Sequence, residues 1–282
     1  MKYDFNDLRN KVCVITGGAG VIGSAISAGL AEAGINVAIL DLDKSMAEKV
    51  ADNLSKAHKA KVIGVEANVL DKDSLVSAKE EIISELGPVD FLINGAGGNS
   101  PKATTKDEYI TEDNLNLADN TFFGLDIEGF QKVFDLNFIG TLLPSMVFAE
   151  DMVKNKEGII LNISSMNSFR PLTKIPAYSA AKASVNNFTE WLAVHFSKMN
   201  IRVNAIAPGF FLTNQNRFLL IDEKTNELTP RGHKIINSTP MGKFGEPEDL
   251  IGAALFLLSS MSSFITGTVV PIDGGFNAYS GV

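Results

Sequence analysis

The sequence predicts an α/β fold in which one parallel sheet is covered by helices on both faces. Short apolar runs alternate along the chain with longer segments whose apolar residues recur at helical spacing. Nearly continuous apolar runs are typical of strands that are buried on both faces. Regular alternation of strands and helices favours parallel strands joined by helical crossovers. We therefore predict a single Rossmann-type, doubly wound sheet of about seven strands.

The predicted strands are short runs rich in β-branched residues. They are Val12–Thr16, Asn36–Leu40, Lys61–Glu66, Val89–Asn94, Gly158–Ile163, Ile201–Ile206 and Thr268–Ile272. The predicted helices lie between them, at Val21–Glu32, Lys44–Ala57, Asp71–Glu85, Ile127–Met152, Ala177–Met199 and Pro247–Leu258. The pattern contains no internal repeat and no Pro/Ser-rich linker, so we predict one domain over residues 1–282.

Two polar, irregular stretches interrupt this alternation. We name residues 99–126 the insertion and residues 210–245 the lid segment. Long loops within a compact α/β domain usually bind ligands or cover active sites. Both stretches follow predicted strands, and ligands of such sheets bind at the carboxyl ends of the strands. We therefore expect both to border the functional site.

Composition and charge narrow the classes of function. The 282 residues carry a formal net charge of -8, and no Lys/Arg run or basic stripe supports nucleic-acid binding. We see no apolar stretch of transmembrane length and no signal peptide, and no His/Cys/Asp spacing resembles a zinc site. The one cysteine, Cys13, lies in an apolar run and excludes a disulfide within the chain. These features favour a cytoplasmic protein.

A glycine-rich turn joins the first predicted strand to the first predicted helix. It reads Thr16-Gly-Gly-Ala-Gly-Val-Ile-Gly23. Glycines let a pyrophosphate approach the backbone, and the start of a helix offers free N–H donors and the positive end of its dipole. In this strand–turn–helix context the turn predicts a nucleotide-binding loop rather than a simple turn.

The second predicted strand ends just before Asp41. A carboxylate at this position accepts hydrogen bonds from the ribose hydroxyls of a dinucleotide and repels a 2′-phosphate. Leu42 follows, where an Arg or Lys would favour that phosphate, so NAD is preferred over NADP. The alternative is that Asp41 caps the next helix, and both roles are compatible.

Tyr178 and Lys182 are four residues apart in a predicted helix, and Ser165 lies upstream. A spacing of four places the phenol and the ammonium on one helix face. A nearby cation favours the ionised phenol and lowers its pKa from about 10. This pair therefore predicts a proton donor and acceptor that works near neutral pH.

Over essentially its whole length the chain resembles the short-chain dehydrogenase/reductase family. The matching positions are Thr16–Gly23, Asp41, Asn94–Gly97, Asn137, Ser165, Tyr178, Lys182, Asn204, Pro208–Gly209 and Thr213. The chain departs from the common pattern at Val21, where most short members have glycine, and at Asn68, where many have aspartate. The glycine spacing is more typical of the longer members, whereas the other motifs follow the short form.

The resemblance implies the roles of these residues. Tyr178 would be the acid or base, Ser165 would stabilise charge on the substrate oxygen, Lys182 would lower the pKa of Tyr178 and bind ribose, and Asn137 would hold a relay water. The residues that it implies for cofactor binding are Gly17, Gly20, Val21, Ile22, Gly23, Asp41, Asn68, Val69, Asn94, Gly95, Ala96, Gly97, Tyr178, Lys182, Pro208, Gly209 and Thr213. The family also pairs the helices predicted at 127–152 and 177–199 across subunits, which implies a dimer or tetramer; the alternative is packing on the sheet.

The second half of the chain, including ISSMNSFRPLTKIPAYSAAKA, resembles family members that act on sugar acids. Such a substrate needs a cation for its carboxylate and polar groups for its hydroxyls, and arginine binds carboxylates in a bidentate manner. The candidates near the catalytic positions are Asn99, Asn167, Arg170, Lys174, Gln215, Asn216 and Arg217, with Arg170 or Arg217 favoured for the carboxylate. For the substrate, the alternative is another polyol or keto acid such as gluconate. For these residues, the alternative is that they are ordinary loop charges. For the protein, the alternative is a non-catalytic NAD-binding regulator.

Overall fold

A computed structural model describes residues 4–213 and 216–281 of the chain. In that part, seven strands form one parallel sheet in the order β3-β2-β1-β4-β5-β6-β7. The strands are β1 (Val12–Thr16), β2 (Asn36–Asp41), β3 (Val62–Glu66), β4 (Phe91–Asn94), β5 (Gly158–Ile163), β6 (Ile201–Pro208) and β7 (Val269–Ile272). The predicted fold class is confirmed.

Helices cover both faces of the sheet. They are α1 (Val21–Glu32), α2 (Lys44–Ala57), α3 (Lys72–Leu86), α4 (Ile127–Phe134), α5 (Gly140–Asn155), α6 (Pro176–Phe196), α7 (Arg217–Leu220), α8 (Pro230–Asn237) and α9 (Ile251–Leu258). Alternate residues of a strand point to opposite faces. In β1, Ile15 packs in the apolar layer that includes α1 and α9, whereas Val14 packs in the layer that includes α3, α5 and α6. Burial on both faces explains the continuous apolar runs.

The order of the strands reverses beside β1, which pairs with β2 on one side and with β4 on the other. Chain connections leave in opposite directions at such a point and open a crevice at the carboxyl ends of the strands. Thr16 and Asn94, the last residues of β1 and β4, are directly paired there. The glycine-rich turn and the loop after β4 therefore lie next to each other.

The helix predicted at 127–152 is interrupted. A π-helical turn at Asp135–Ile139 separates α4 from α5, and such turns are frequent at functional sites. The combined stretch Ile127–Asn155 is long and apolar enough to cross a membrane by length and composition, which corrects our expectation that no such stretch exists. Half of its most apolar window is buried, and α5 packs against α3, β4 and β5, as the core helix of a globular protein does.

The lid segment contains α7 and α8, where the sequence predicted only irregular structure. Thr229 caps α8 by accepting a hydrogen bond from the Gly232 N–H at 3.0 Å, and Pro230 occupies the first helical position. A Thr-Pro start of this kind is a helix signal that the prediction missed. The insertion forms short 3₁₀ turns, and its Glu108 pairs with Lys234 of α8 at 2.6 Å. The two segments therefore contact each other.

Candidate active site

The start of α6 carries Tyr178 and Lys182 on one face, as the spacing predicted. Ser165 is the second residue after β5 and begins a short 3₁₀ turn, in which its hydroxyl oxygen accepts the Asn167 N–H at 3.2 Å. The Ser165 hydroxyl lies close enough to the Tyr178 phenol to lower its pKa. The structure therefore brings together the serine and tyrosine that the sequence singled out separately.

The acidity of Tyr178 differs from our expectation. Burial raises the pKa of its phenol above the usual 10, and the Ser165 hydroxyl opposes this shift. Lys182 lies with its Nζ atom 5.8 Å from the ring centroid. The pKa of the phenol is therefore shifted in the direction opposite to the one that we predicted from a neighbouring cation, because burial is the largest effect.

The Lys182 ammonium lies in the protein interior. The residue is 3% exposed, and its Nζ donates a hydrogen bond to the main-chain oxygen of Ile163 at 2.7 Å. Burial disfavours the charged form and lowers the pKa of Lys182 to about 8. This lysine can therefore gain or lose a proton close to neutral pH.

Asn137 lies in the π-helical turn, opposite the loop that follows β4. Its Nδ2 donates to the main-chain oxygens of Gly98 and Val133, both at 2.7 Å, and its Oδ1 accepts the Gly98 N–H at 3.2 Å. A Cβ atom on Gly97 would lie 2.6 Å from the Asn137 Oδ1 and 3.2 Å from the Lys182 Nζ. Only glycine lets this loop approach both side chains.

Asn94 is the last residue of β4 and lies directly before this loop. The residue is buried, and its Nδ2 donates to the Ser145 hydroxyl at 2.9 Å and to the Asn162 Oδ1 at 2.8 Å. Asn162 in turn donates to Thr189 of α6 at 2.9 Å. The side chain of Asn94 therefore links β4, β5 and α5 instead of facing the cleft in which we placed it.

A cleft of about 580 Å³ opens at the carboxyl ends of β1, β2, β3 and β4. The predicted cofactor residues that line it are Gly17, Gly20, Val21, Ile22, Gly23, Asp41, Asn68, Val69, Gly95, Ala96, Gly97, Gly209 and Thr213. Tyr178, Lys182 and Pro208 do not line it. Residues that line it and were not predicted to bind the cofactor are Leu40, Leu42, Ala67, Leu136, Phe210, Phe211 and Asn216. Leu40 and Ala67 could have been predicted to line the cleft from their position at the carboxyl end of a strand.

The glycine-rich turn suits a dinucleotide phosphate. Gly20 precedes α1 and offers no side chain to cap it, so the first N–H groups of the helix remain directed at the cleft. A Cβ atom on Gly23 would overlap the Gly17 carbonyl oxygen, so the turn closes this tightly only with glycine. A free helix start beside a bare backbone is the arrangement that binds pyrophosphate.

Asp41 reaches back to the same turn. Its carboxylate accepts the Ala19 N–H at 3.2 Å, and Asp41 lines the cleft at the end of β2. The N-cap of α2 is Asp43, which accepts the Met46 N–H at 3.0 Å. The alternative reading of Asp41 as a helix cap is therefore wrong, and its carboxylate remains at the edge of the cleft.

The predicted substrate residues do not form one cluster. Arg217 is exposed and donates to the Asn226 Oδ1 at 3.0 Å, Lys174 donates to the Lys106 main-chain oxygen at 2.5 Å, and Arg170 is exposed. Each of the two contacts holds a loop in place. Gln215 lies outside the described residues.

The amide side chains predicted to bind substrate differ in how many of their polar atoms already have hydrogen-bond partners. Asn99 is exposed and donates to the Thr104 hydroxyl at 3.1 Å, and Asn216 closes its own turn through the Thr213 N–H and the Phe211 carbonyl. Asn167 is 5% exposed, and its Oδ1 has no hydrogen-bond partner among the described residues. A buried amide oxygen without a partner is costly, and this one belongs to the short turn that Ser165 begins.

Comparison with known proteins places these features in a family. A profile described as Enoyl-(Acyl carrier protein) reductase matches residues 17–277. A Haemophilus influenzae protein with a provisional D-mannonate oxidoreductase assignment, solved with bound NAD, is 50% identical, covers 99% of both chains and superposes with a TM-score of 0.93. The oxidoreductase UxuB of Bacillus subtilis, whose activity is uncharacterized, is 50% identical over 98% of both chains. A 2-dehydro-3-deoxy-D-gluconate 5-dehydrogenase of Formosa agariphila is 32% identical over 100% of this chain and 98% of its own.

The chain belongs to the short-chain dehydrogenase/reductase family. The profile match, the full-length relatives and the seven-stranded sheet agree on this point. The resemblance found in the sequence motifs is thereby confirmed.

The buried Lys182 predicts a pH-dependent stability. Its folded-state pKa of about 8 lies below the 10.5 of a free lysine, so the folded state binds fewer protons between these values and its stability rises with pH. The wild type should gain on the order of 3 kcal/mol of unfolding free energy across this window from Lys182. Lys182→Met should lack that gain, as measured by urea unfolding at pH 7.5 and 10.5.

Lys49→Met is the matched control, since Lys49 is exposed on α2. This control should follow the wild type at both pH values. A difference between wild type and Lys182→Met that stays constant across the window would contradict the burial effect.

Proposed function

We propose that the protein is an NAD-dependent oxidoreductase that interconverts D-mannonate and D-fructuronate. The observation that carries the chemistry is the neighbouring pair of Ser165 and Tyr178 beside the buried Lys182, next to a cleft with a bare glycine backbone. The substrate is inferred from the relative with the provisional mannonate assignment, which binds NAD. One domain over residues 1–282 and a cytoplasmic location stay our predictions.

The proton chemistry falls to Tyr178. The cofactor held in the cleft would supply hydride transfer, with NAD taking the hydride in oxidation and NADH giving it in reduction. In reduction, the Tyr178 hydroxyl gives its proton to the ketone oxygen; in oxidation, the phenolate takes it from the alcohol. The Ser165 hydroxyl donates a second hydrogen bond to that oxygen and stabilises its developing negative charge.

Lys182 and Asn137 are placed to serve the proton that Tyr178 exchanges. A lysine with a pKa of about 8 is present in both protonation states near neutral pH. Asn137 has its side chain fully engaged with Gly98 and Val133, and it fixes the loop that covers Lys182. We assign Lys182 to the proton route and Asn137 to its support, with the relay water held at the π-helical turn.

Recognition of a sugar acid would begin at Asn167. Its unpartnered Oδ1 suits a substrate hydroxyl close to the carbon held at Ser165. Arg170 and Arg217 are the candidates for the carboxylate, because both are exposed and border the catalytic loop and the cofactor turn. Lys174 is less suited, since the Lys106 carbonyl already occupies its ammonium.

A second candidate is the same reaction on a related sugar acid. The Formosa agariphila relative acts on 2-dehydro-3-deoxy-D-gluconate, and it aligns over the whole chain. A non-catalytic NAD-binding regulator is disfavoured, because Ser165, Tyr178, Lys182 and Asn137 are all present and brought together.

We further propose that α4, α5 and α6 pair with a second copy of the chain. Trp191 of α6 is 56% exposed and stacks between Phe188 and His195. Met146 of α5 and Val194 of α6 are exposed as well. Exposed apolar side chains on neighbouring helices favour association. This surface supports the dimer or tetramer predicted from the family.

Asp41 is expected to select the cofactor. Asp41→Ala should weaken NADH binding by about tenfold and NADPH binding less, because the lost carboxylate both binds ribose hydroxyls and repels a 2′-phosphate. Fluorescence titration with each nucleotide measures the ratio. Asp43→Ala, which removes the cap of α2, should lower stability by about 1 kcal/mol and leave the ratio unchanged. Equal ratios in Asp41→Ala and wild type would refute this role.

Tyr178 is expected to be required for turnover with D-mannonate. Tyr178→Phe should reduce kcat by about 100- to 10,000-fold, the usual contribution of general acid–base catalysis, with NADH binding almost unchanged. Tyr279→Phe alters an exposed tyrosine and is the control. Undiminished turnover in Tyr178→Phe would rule out the proposed chemistry.

The substrate is tested by nicotinamide absorbance with D-mannonate, D-gluconate and 2-dehydro-3-deoxy-D-gluconate. The highest kcat/KM is expected for D-mannonate. Turnover of D-gluconate alone would exclude the mannonate assignment while leaving the oxidoreductase class intact.

A further inference from the structure

Asn186 occupies the same face of α6 as Tyr178 and Lys182. The three residues follow each other at intervals of four, so they succeed one another along one side of the helix. Asn186 is half-buried, and the chemistry described above does not use it. Its position brings an amide to the loop that carries Ser165.

Both ends of the Asn186 amide are engaged on that loop. Its Nδ2 donates to the Ser168 hydroxyl at 2.7 Å, and its Oδ1 accepts a short hydrogen bond from the Ser164 hydroxyl. Ser164 and Ser168 lie on either side of Ser165 in the sequence. One side chain of α6 therefore holds the catalytic loop at two points.

The contacts continue from Ser168 to Ser165 itself. The Ser168 hydroxyl donates to the Ser165 main-chain oxygen at 2.5 Å, and the Asn167 N–H donates to the Ser165 hydroxyl oxygen at 3.2 Å. Because its hydroxyl oxygen already accepts this N–H, Ser165 has its own proton free for the phenol or for the substrate oxygen. Both the backbone and the side chain of Ser165 are thus held.

We propose that Asn186 is a positioning residue that sets the distance between Ser165 and Tyr178. The amide joins the helix that carries the tyrosine to the loop that carries the serine, so the two hydroxyls can meet in only one arrangement. The task needs a donor and an acceptor in one neutral group, which alanine and aspartate do not provide. The inference rests on the proposed function, in which both hydroxyls contact the reacting oxygen.

The test compares Asn186→Ala with Asn187→Ala. Asn187 is the next residue of α6, is exposed and has no side-chain hydrogen bond among the described contacts. With D-mannonate and NAD, or the best sugar acid of the screen, Asn186→Ala should lower kcat by about 10- to 100-fold, because small misplacements of reacting groups are costly. The NADH dissociation constant should stay within about twofold of wild type, and Asn187→Ala should match wild type in both.

The pH profile separates positioning from a purely structural role. The Ser165 hydroxyl lowers the pKa of Tyr178, so a displaced Ser165 should move the limb on which kcat for oxidation rises with pH to higher pH. Asn186→Ala and Ser165→Ala should share this shift. Ser168→Ala removes the contacts of Ser168 to Asn186 and to the Ser165 main-chain oxygen but leaves Asn186 bound to Ser164, so it should give a smaller loss that is not additive with Asn186→Ala. If Asn186→Ala does not fold, Ser168→Ala carries the test.

Two results overturn the inference. One is a kcat of Asn186→Ala within about twofold of Asn187→Ala, and the other is a lower kcat with an unmoved pH limb. The Tyr178→Phe variant, measured in the same assay, distinguishes a failure of the proposed function from a failure of the role of Asn186. Full activity in Tyr178→Phe rejects the proposed function, whereas an inactive Tyr178→Phe with a normal Asn186→Ala rejects only the role of Asn186.

Discussion

The hydrogen bond from the Lys182 ammonium to the Ile163 carbonyl joins helix α6 to the end of β5. An ammonium in the interior is costly unless it is paired, so this contact can form only with the helix in one place. That placement sets Tyr178 beside Ser165, two residues beyond the strand. It also leaves room above Lys182 for a loop without a side chain, and Gly97 fills that room. The geometry of the site therefore depends on the position at which the buried Lys182 ammonium finds its hydrogen-bond acceptor.

Polar groups in the core explain how the surrounding strands keep their positions. Asn94, Asn162 and Thr189 are buried, and a chain of hydrogen bonds runs through them from β4 to α6. A shift of either strand by one residue would leave several of these groups unpaired, and each unpaired group would cost about 1–3 kcal/mol. Buried hydrogen-bond networks of this kind favour one register over its neighbours.

The π-helical turn at Asp135–Ile139 is the local irregularity on which the cleft depends. It turns the Asn137 side chain toward the loop after β4, where two hydrogen bonds with Gly98 hold the two segments together. The same loop borders the cleft through Gly95, Ala96 and Gly97. Cofactor cleft and proton site thus share one short stretch of backbone, so changes at either are coupled to the other.

The sequence by itself determined the strand–helix alternation, the glycine-rich turn and the pairing of Tyr178 with Lys182, because these depend on local spacing and on apolar periodicity. The tertiary structure decided the rest. It turned Asn94 into the core, made Asp43 rather than Asp41 the helix cap, and raised the pKa of Tyr178 where a cation suggested a lower one. Each of these depends on groups far apart in the chain, whose contacts and burial no local pattern records.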